Sequence, residues 1–80
     1  MINLYVKEVE GVWFGVAYEK EEVFATAFAP TENGVLRSLL HGIPFNVPFQ
    51  QLKKPSSFAE RVINSIKAIY DGKDVRNRFS

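Results

Sequence analysis

The stretch VWFGVAYEKEEVFATAFA, residues 12–29, decides how this chain folds. Its first seven residues alternate with a period of two, placing Val12, Phe14, Val16 and Tyr18 on one face and Trp13, Gly15 and Ala17 on the other. The second face is apolar in part, so this segment reads as a central strand covered from two sides, at least near Trp13. Glu19-Lys20-Glu21-Glu22 follows, four consecutive charges that no core accommodates, and forms a solvated turn. Val23 to Phe28 alternates again, with Phe24, Thr26 and Phe28 expected on one face and the small Ala25 and Ala27 on the other, where a helix can approach closely. Upstream, Leu4 and Val6 share a face of a first strand with Lys7 opposite, and Glu10-Gly11 turns the chain into Val12. The three segments make an antiparallel meander.

Downstream the period changes to that of helices. Pro30 ends the third strand, Thr31 is placed as an N-cap, and Val35, Leu36, Leu39 and Leu40 fall at helical spacing before Gly42 and Pro44 stop the helix. Residues 43–55 hold Pro44, Pro48 and Pro55 around an alternating Phe45, Val47 and Phe49, which predicts an extended crossover serving as an edge strand or packed linker. Ser57 and Glu60 have capping-box spacing and open a longer amphipathic helix with Ala59, Val62, Ile63, Ile66, Ile69 and Tyr70 along one stripe. Asp71-Gly72 is expected to end it, with Gly72 in a left-handed C′ position. The expected class is α+β: one domain over residues 1–75, then residues 76–80 as a basic tail or the start of an interdomain linker.

Composition narrows the function. Eighty residues bury only roughly 60 to 65% of the surface that the unfolded chain exposes. Yet 46% hydrophobic and 14% aromatic content is too apolar for a disordered segment. There is no Cys and a single His, so neither a disulfide framework nor a zinc site staples the fold, and stability must come from packing or from a partner surface. Ten Lys plus Arg against nine Asp plus Glu leave a net charge of +1, far from the balance of a dedicated nucleic-acid binder. The start lacks a basic n-region with an apolar run, and no stretch approaches the ~20 apolar residues of a membrane span, so a soluble cytoplasmic protein is expected.

No catalytic constellation can be assembled from these residues, and no cofactor motif or small-molecule site is evident. His41, at a helix C-terminus, has the position of a surface cation. Glu19, Glu21 and Glu22 point apart in a turn and do not make a metal cluster. Asp71-Gly72-Lys73-Asp74 lacks the alternate ligands and closing glutamate of a calcium loop. Weak DNA contact is conceivable only at Lys73, Arg76 and Arg78, three cations within six residues. Tyr5, Trp13 and Tyr18 would serve as stacking faces only if basic residues were interleaved with them; the strands containing Trp13 and Tyr18 have none, so these rings belong to the core. The apolar alternation of Phe45, Val47 and Phe49 is the candidate interdomain interface.

A three-stranded sheet ending in Val23-Phe24-Ala25-Thr26-Ala27-Phe28, a short helix, an extended crossover, and a helix closing in Ile69-Tyr70-Asp71-Gly72-Lys73 resembles the N-terminal domain of archaeal alkylguanine-DNA alkyltransferases, the methylated-DNA-protein-cysteine methyltransferases. The resemblance covers nearly the whole chain and rests on short motifs. It implies a ribonuclease-H-like half-domain that supports a catalytic half by packing, in the service of DNA repair. The family's acceptor cysteine lies in a Pro-Cys-His-Arg motif of its second domain; that motif is absent here, so no catalytic residue carries over. Arg76-Asn77-Arg78 would match the start of the linker. The implied partner is a catalytic alkyltransferase domain or, failing that, a second copy; the alternative function is a small stand-alone nucleic-acid-binding or protein-interaction module.

Overall fold

The computed structural model describes the backbone of residues 1–79 and the side chains of residues 1–72. Strands β1 (Ile2–Val9), β2 (Val12–Glu19) and β3 (Glu22–Ala29) form the antiparallel meander, followed by helix α1 (Glu32–His41), a short strand β4 (Phe49–Gln51) and helix α2 (Ser57–Phe79). The sheet order is β3-β2-β1-β4, and β4 lies parallel to β1. The α+β class and the meander are therefore as read from the sequence, and the proline-rich crossover contributes an edge strand.

The turn at Glu10-Gly11 places both residues in the left-handed region, φ 53° and 84°, the twist that a two-residue hairpin requires. The two helices cover opposite faces. On one, Ile2, Leu4 and Ala17 pack with Val35 and Leu39 of α1; on the other, Tyr5, Phe14, Val16 and Tyr18 pack with Ala59 and Ile63 of α2. Strand β2 is thus buried from both sides, as its two apolar faces required. Each of the fully buried Val, Leu and Ile side chains among these contributes about 1.5 to 3 kcal/mol by leaving water.

Thr31 caps α1, its hydroxyl accepting from the Gly34 N–H at 3.1 Å. At the other end Gly42 has ordinary right-handed dihedrals; its value lies in close approach, since a Cβ there would sit 2.5 Å from that of Ala25 on β3. The alanines of β3 do admit a helix.

Three local expectations are corrected. Phe24 does not share a face with Phe28. Tyr18 pairs with Val23 and Ala17 with Ala25, so Phe24 is the extra residue of a bulge and turns to the α1 face. The cap of α2 is Ser56 rather than Ser57: its hydroxyl accepts from the Ala59 N–H at 3.1 Å and shares a hydrogen bond of 3.0 Å with the buried Tyr18 hydroxyl. A hydroxyl fixed from the sheet outcompetes a neighbour with no such anchor, and a cap of this kind contributes about 1 kcal/mol.

Nor does Asp71-Gly72 stop the helix. Gly72 has no positive φ, and α2 continues to Phe79. A glycine inside a helix costs about 1 kcal/mol relative to Ala without breaking it, and the Lys67–Asp71 ion pair at 2.7 Å spans the preceding turn. The backbone after Gly72, including residues 76–79 of the expected basic tail, is therefore helical to Phe79. This has a signed test. A Cβ at position 72 meets nothing within 4 Å, so Gly72→Ala is expected to stabilise by about 0.5 to 1 kcal/mol; a left-handed C′ glycine would instead make the same change destabilising, and a thermal melt distinguishes the two.

Candidate functional site

The proline-flanked crossover is the part of the surface that the sequence singles out, and its geometry is set by a turn. Val47 N–H reaches the Pro44 carbonyl at 3.4 Å, and Asn46 takes φ 69°, so Phe45 and Asn46 form the tip of the turn. This breaks the alternation that would have put three apolar side chains on one face. Phe45 stands out into solvent, 91% exposed; Val47 returns to the core beneath α1; Phe49, at the start of β4, is half exposed at 49%. Two of the three predicted interface residues are available to a partner and one is structural. Strand β4 itself is held by the Ile2 N–H to the Pro48 carbonyl at 3.0 Å and by the Gln50 side-chain amide to Asn3 at 2.8 Å. The position of Phe45 is therefore braced by a paired strand.

The side chains of Lys73, Arg76 and Arg78, the predicted nucleic-acid contacts, lie outside the described residues. The aromatics of the sheet are packed: Tyr5 and Tyr18 are buried, and Trp13 lies against the α1-side core. Phe14, Phe28 and Tyr70 form an edge-to-face cluster, with Tyr70 5.7 Å from Phe14 and 5.2 Å from Phe28. Arg61 lies 5.9 Å over the ring of Phe58, which itself packs at a tilt of 52° against Tyr18.

A polar cleft lined by Tyr5, Lys7, Glu60, Ile63 and Asn64 opens between β1 and α2. Burial, and then the charge of Glu60, raise the Tyr5 phenol above its ordinary value. The hydroxyl is thereby kept neutral, the opposite of activation as a base or nucleophile. Glu19 takes the Met1 amine as its partner, and this hydrogen bond lowers its carboxyl below the ordinary value. Among the described residues, no three His, Asp or Glu side chains gather as metal ligands. His41 is exposed in the last turn of α1. No helix of the described residues is long and apolar enough to cross a membrane.

What the sequence reading missed lies at β3. Phe28 and Ile69 are 46% and 61% exposed and line, with Thr26, Ala27, Ser38 and Ile66, an open groove beside the strand. The signal was the uncharged, proline-free run Val23–Ala29, but its significance depends on β3 being an edge. No known protein family, curated protein or solved structure matches this chain.

Proposed function

We propose that this chain is a non-catalytic packing module of the alkyltransferase N-terminal type, a structural partner of a catalytic domain that repairs alkylated DNA. The observation that carries the reading is the order of elements, a three-stranded meander, a helix, a crossover that contains the short strand β4, and a second helix; the sequence resemblance rests on the same order with the crossover read as extended. Phe45 and Phe49 support it as well. Large apolar side chains held at the surface by a braced turn are the usual anchors of a protein interface. Of the two alternatives, a protein-interaction module draws on the same residues, whereas the sheet tyrosines that a stacking platform for nucleic acid would use, Tyr5 and Tyr18, are buried.

Calorimetric titration of this chain with the isolated catalytic domain of such an alkyltransferase, the half bearing Pro-Cys-His-Arg, tests the assignment. The expected result is a one-to-one complex weakened at least tenfold, about 1.4 kcal/mol, by combined Phe45→Ser and Phe49→Ser. Absence of binding up to about 100 µM, or binding indifferent to both substitutions, overturns the proposed partner and surface. Transfer of label from methylated guanine in DNA to this chain overturns the non-catalytic role.

A further inference from the structure

Helix α1 opens on a pair of residues with chemistry of its own. Among Asn3, Asn33, Asn46, Asn64 and Asn77, only Asn33 precedes a glycine; the others precede Leu, Val, Ser and Arg. A glycine leaves its backbone nitrogen open to the neighbouring side-chain amide, because no Cβ hinders the approach. Asn33 is exposed, in the first turn of the helix. Space, and not helix propensity, accounts for Gly34 there. A Cβ at that position would lie 3.1 Å from Ala29 Cβ and 3.1 Å from Thr31 Oγ1, closer than side chains ordinarily pack. The Asn-Gly pair therefore follows from the close seating of α1 on the end of β3.

We infer that Asn33-Gly34 is a site of spontaneous covalent modification whose rate is governed by the Thr31 cap. The Gly34 nitrogen attacks Asn33 Cγ and closes a succinimide ring; the bond from Cγ to the side-chain nitrogen breaks, and that nitrogen leaves as ammonia with the proton of the Gly34 amide. Water then opens the ring at either carbonyl, giving aspartate or isoaspartate. One water is consumed and one ammonia released, with no change of oxidation state. The native structure holds this reaction back in two ways. The Gly34 N–H donates to Thr31 Oγ1 at 3.1 Å, which engages the attacking nitrogen. The Val35 N–H donates to the Thr31 carbonyl at 3.2 Å and fixes the turn as helix, whereas the ring closes only when Asn33 leaves its helical ψ. Attack thus requires the first turn to open. Helix ends open locally at free energies well below that of global unfolding, so the cap sets the rate.

The two products act on the fold in opposite ways. Aspartate at position 33 places a negative charge in the first turn, where the helix dipole favours it. Isoaspartate routes the main chain through the side-chain carbon and inserts one more atom between residues 33 and 34. That insertion carries the Gly34 N–H off Thr31 and strains the seating of Val35, which is fully buried against the sheet. The change is one-way, and its isoaspartate form loosens α1. This inference stands independently of the functional assignment above.

The intact chain is incubated near neutral pH at physiological temperature, digested, and its aspartate and isoaspartate peptides are separated and weighed by mass spectrometry. Asn33 should convert before Asn3, Asn46 or Asn64, yet about tenfold or more slowly than in a synthetic peptide of residues 29–37, which is too short to hold a helix. Thr31→Ala should accelerate conversion by about fivefold, the factor by which losing such a cap shifts the opening of a helix start. Hydrogen exchange at the Gly34 amide should rise by the same factor. Thr31→Ser keeps the acceptor, and Ser56→Ala removes the cap of the other helix; both should leave the rate within about twofold. Asn33→Gln should abolish the modification. Conversion no faster at Asn33 than at the other asparagines, a rate equal to that of the peptide, or a rate indifferent to Thr31→Ala overturns the inference. So does acceleration by Ser56→Ala as large as by Thr31→Ala, which would route the reaction through global unfolding.

Discussion

Ile63→Ala is expected to lower the thermal midpoint by more than about 10 °C and to leave a substantial unfolded fraction at physiological temperature. Ile63 is 2% exposed and packs in the α2-side cluster with Tyr5, Phe14, Val16, Tyr18 and Ala59. Deleting three carbons from such a site costs about 2 to 5 kcal/mol through lost transfer free energy and the cavity left behind. For a domain of this size each kcal/mol moves the midpoint by about 4 to 8 °C. The helix that supplies Ile63 also supplies graded controls. Ile66 is partly buried and Ile69 is 61% exposed, so the loss on replacement by Ala should fall in the order Ile63, Ile66, Ile69. Equal losses at all three, or the largest at Ile69, would show that the face of α2 against the sheet has been wrongly assigned.

Gly15→Ala is the second large effect and has the opposite cause, too much volume rather than too little. Gly15 lies in the middle of β2, where α1 rests directly on the backbone; a Cβ there would stand 2.4 Å from Val35 Cγ1, 2.9 Å from Leu39 Cδ1 and 3.1 Å from Val6 Cγ1. Both α1 side chains are fully buried, with no space into which to retreat. The helix must lift or its side chains leave their rotamers, at a cost of about 1 to 3 kcal/mol or somewhat more. Gly15→Val should cost more than Gly15→Ala. Combining Gly15→Ala with Val35→Ala should recover part of the loss, because the second change removes the nearest clashing atom, and the double-mutant cycle reads that coupling. Strict additivity in chemical denaturation would place the damage elsewhere.

Both effects concern residues whose type was legible in the sequence and whose consequence was not. The alternation around Gly15 indicated a strand covered on two sides, and the stripe through Ile63 indicated a helix with one buried face. Neither indicated which helix takes which face. The interface residues divide likewise: Phe45, Val47 and Phe49 stood out as apolar, but a turn at Phe45-Asn46 sends the first to solvent and Val47 to the core. The β3 groove was hidden for a simpler reason. An uncharged strand is unremarkable in the centre of a sheet and consequential at its edge, and strand order is a tertiary fact.

By itself the sequence determined what local periodicity and local chemistry can encode: the meander, the hairpin turns at Glu10-Gly11 and Lys20-Glu21, the Thr31 cap and the amphipathic character of both helices. Each of these depends on residues a few positions apart, which interact whatever the remainder of the chain does. Tertiary structure decided the rest. Ser56 caps α2 because Tyr18, 38 residues away, holds its hydroxyl; Phe24 changes face because pairing with β2 absorbs one residue as a bulge; β4 is a strand because β1 offers it an edge. In each of these cases a long-range contact, not the local sequence, chooses between local alternatives.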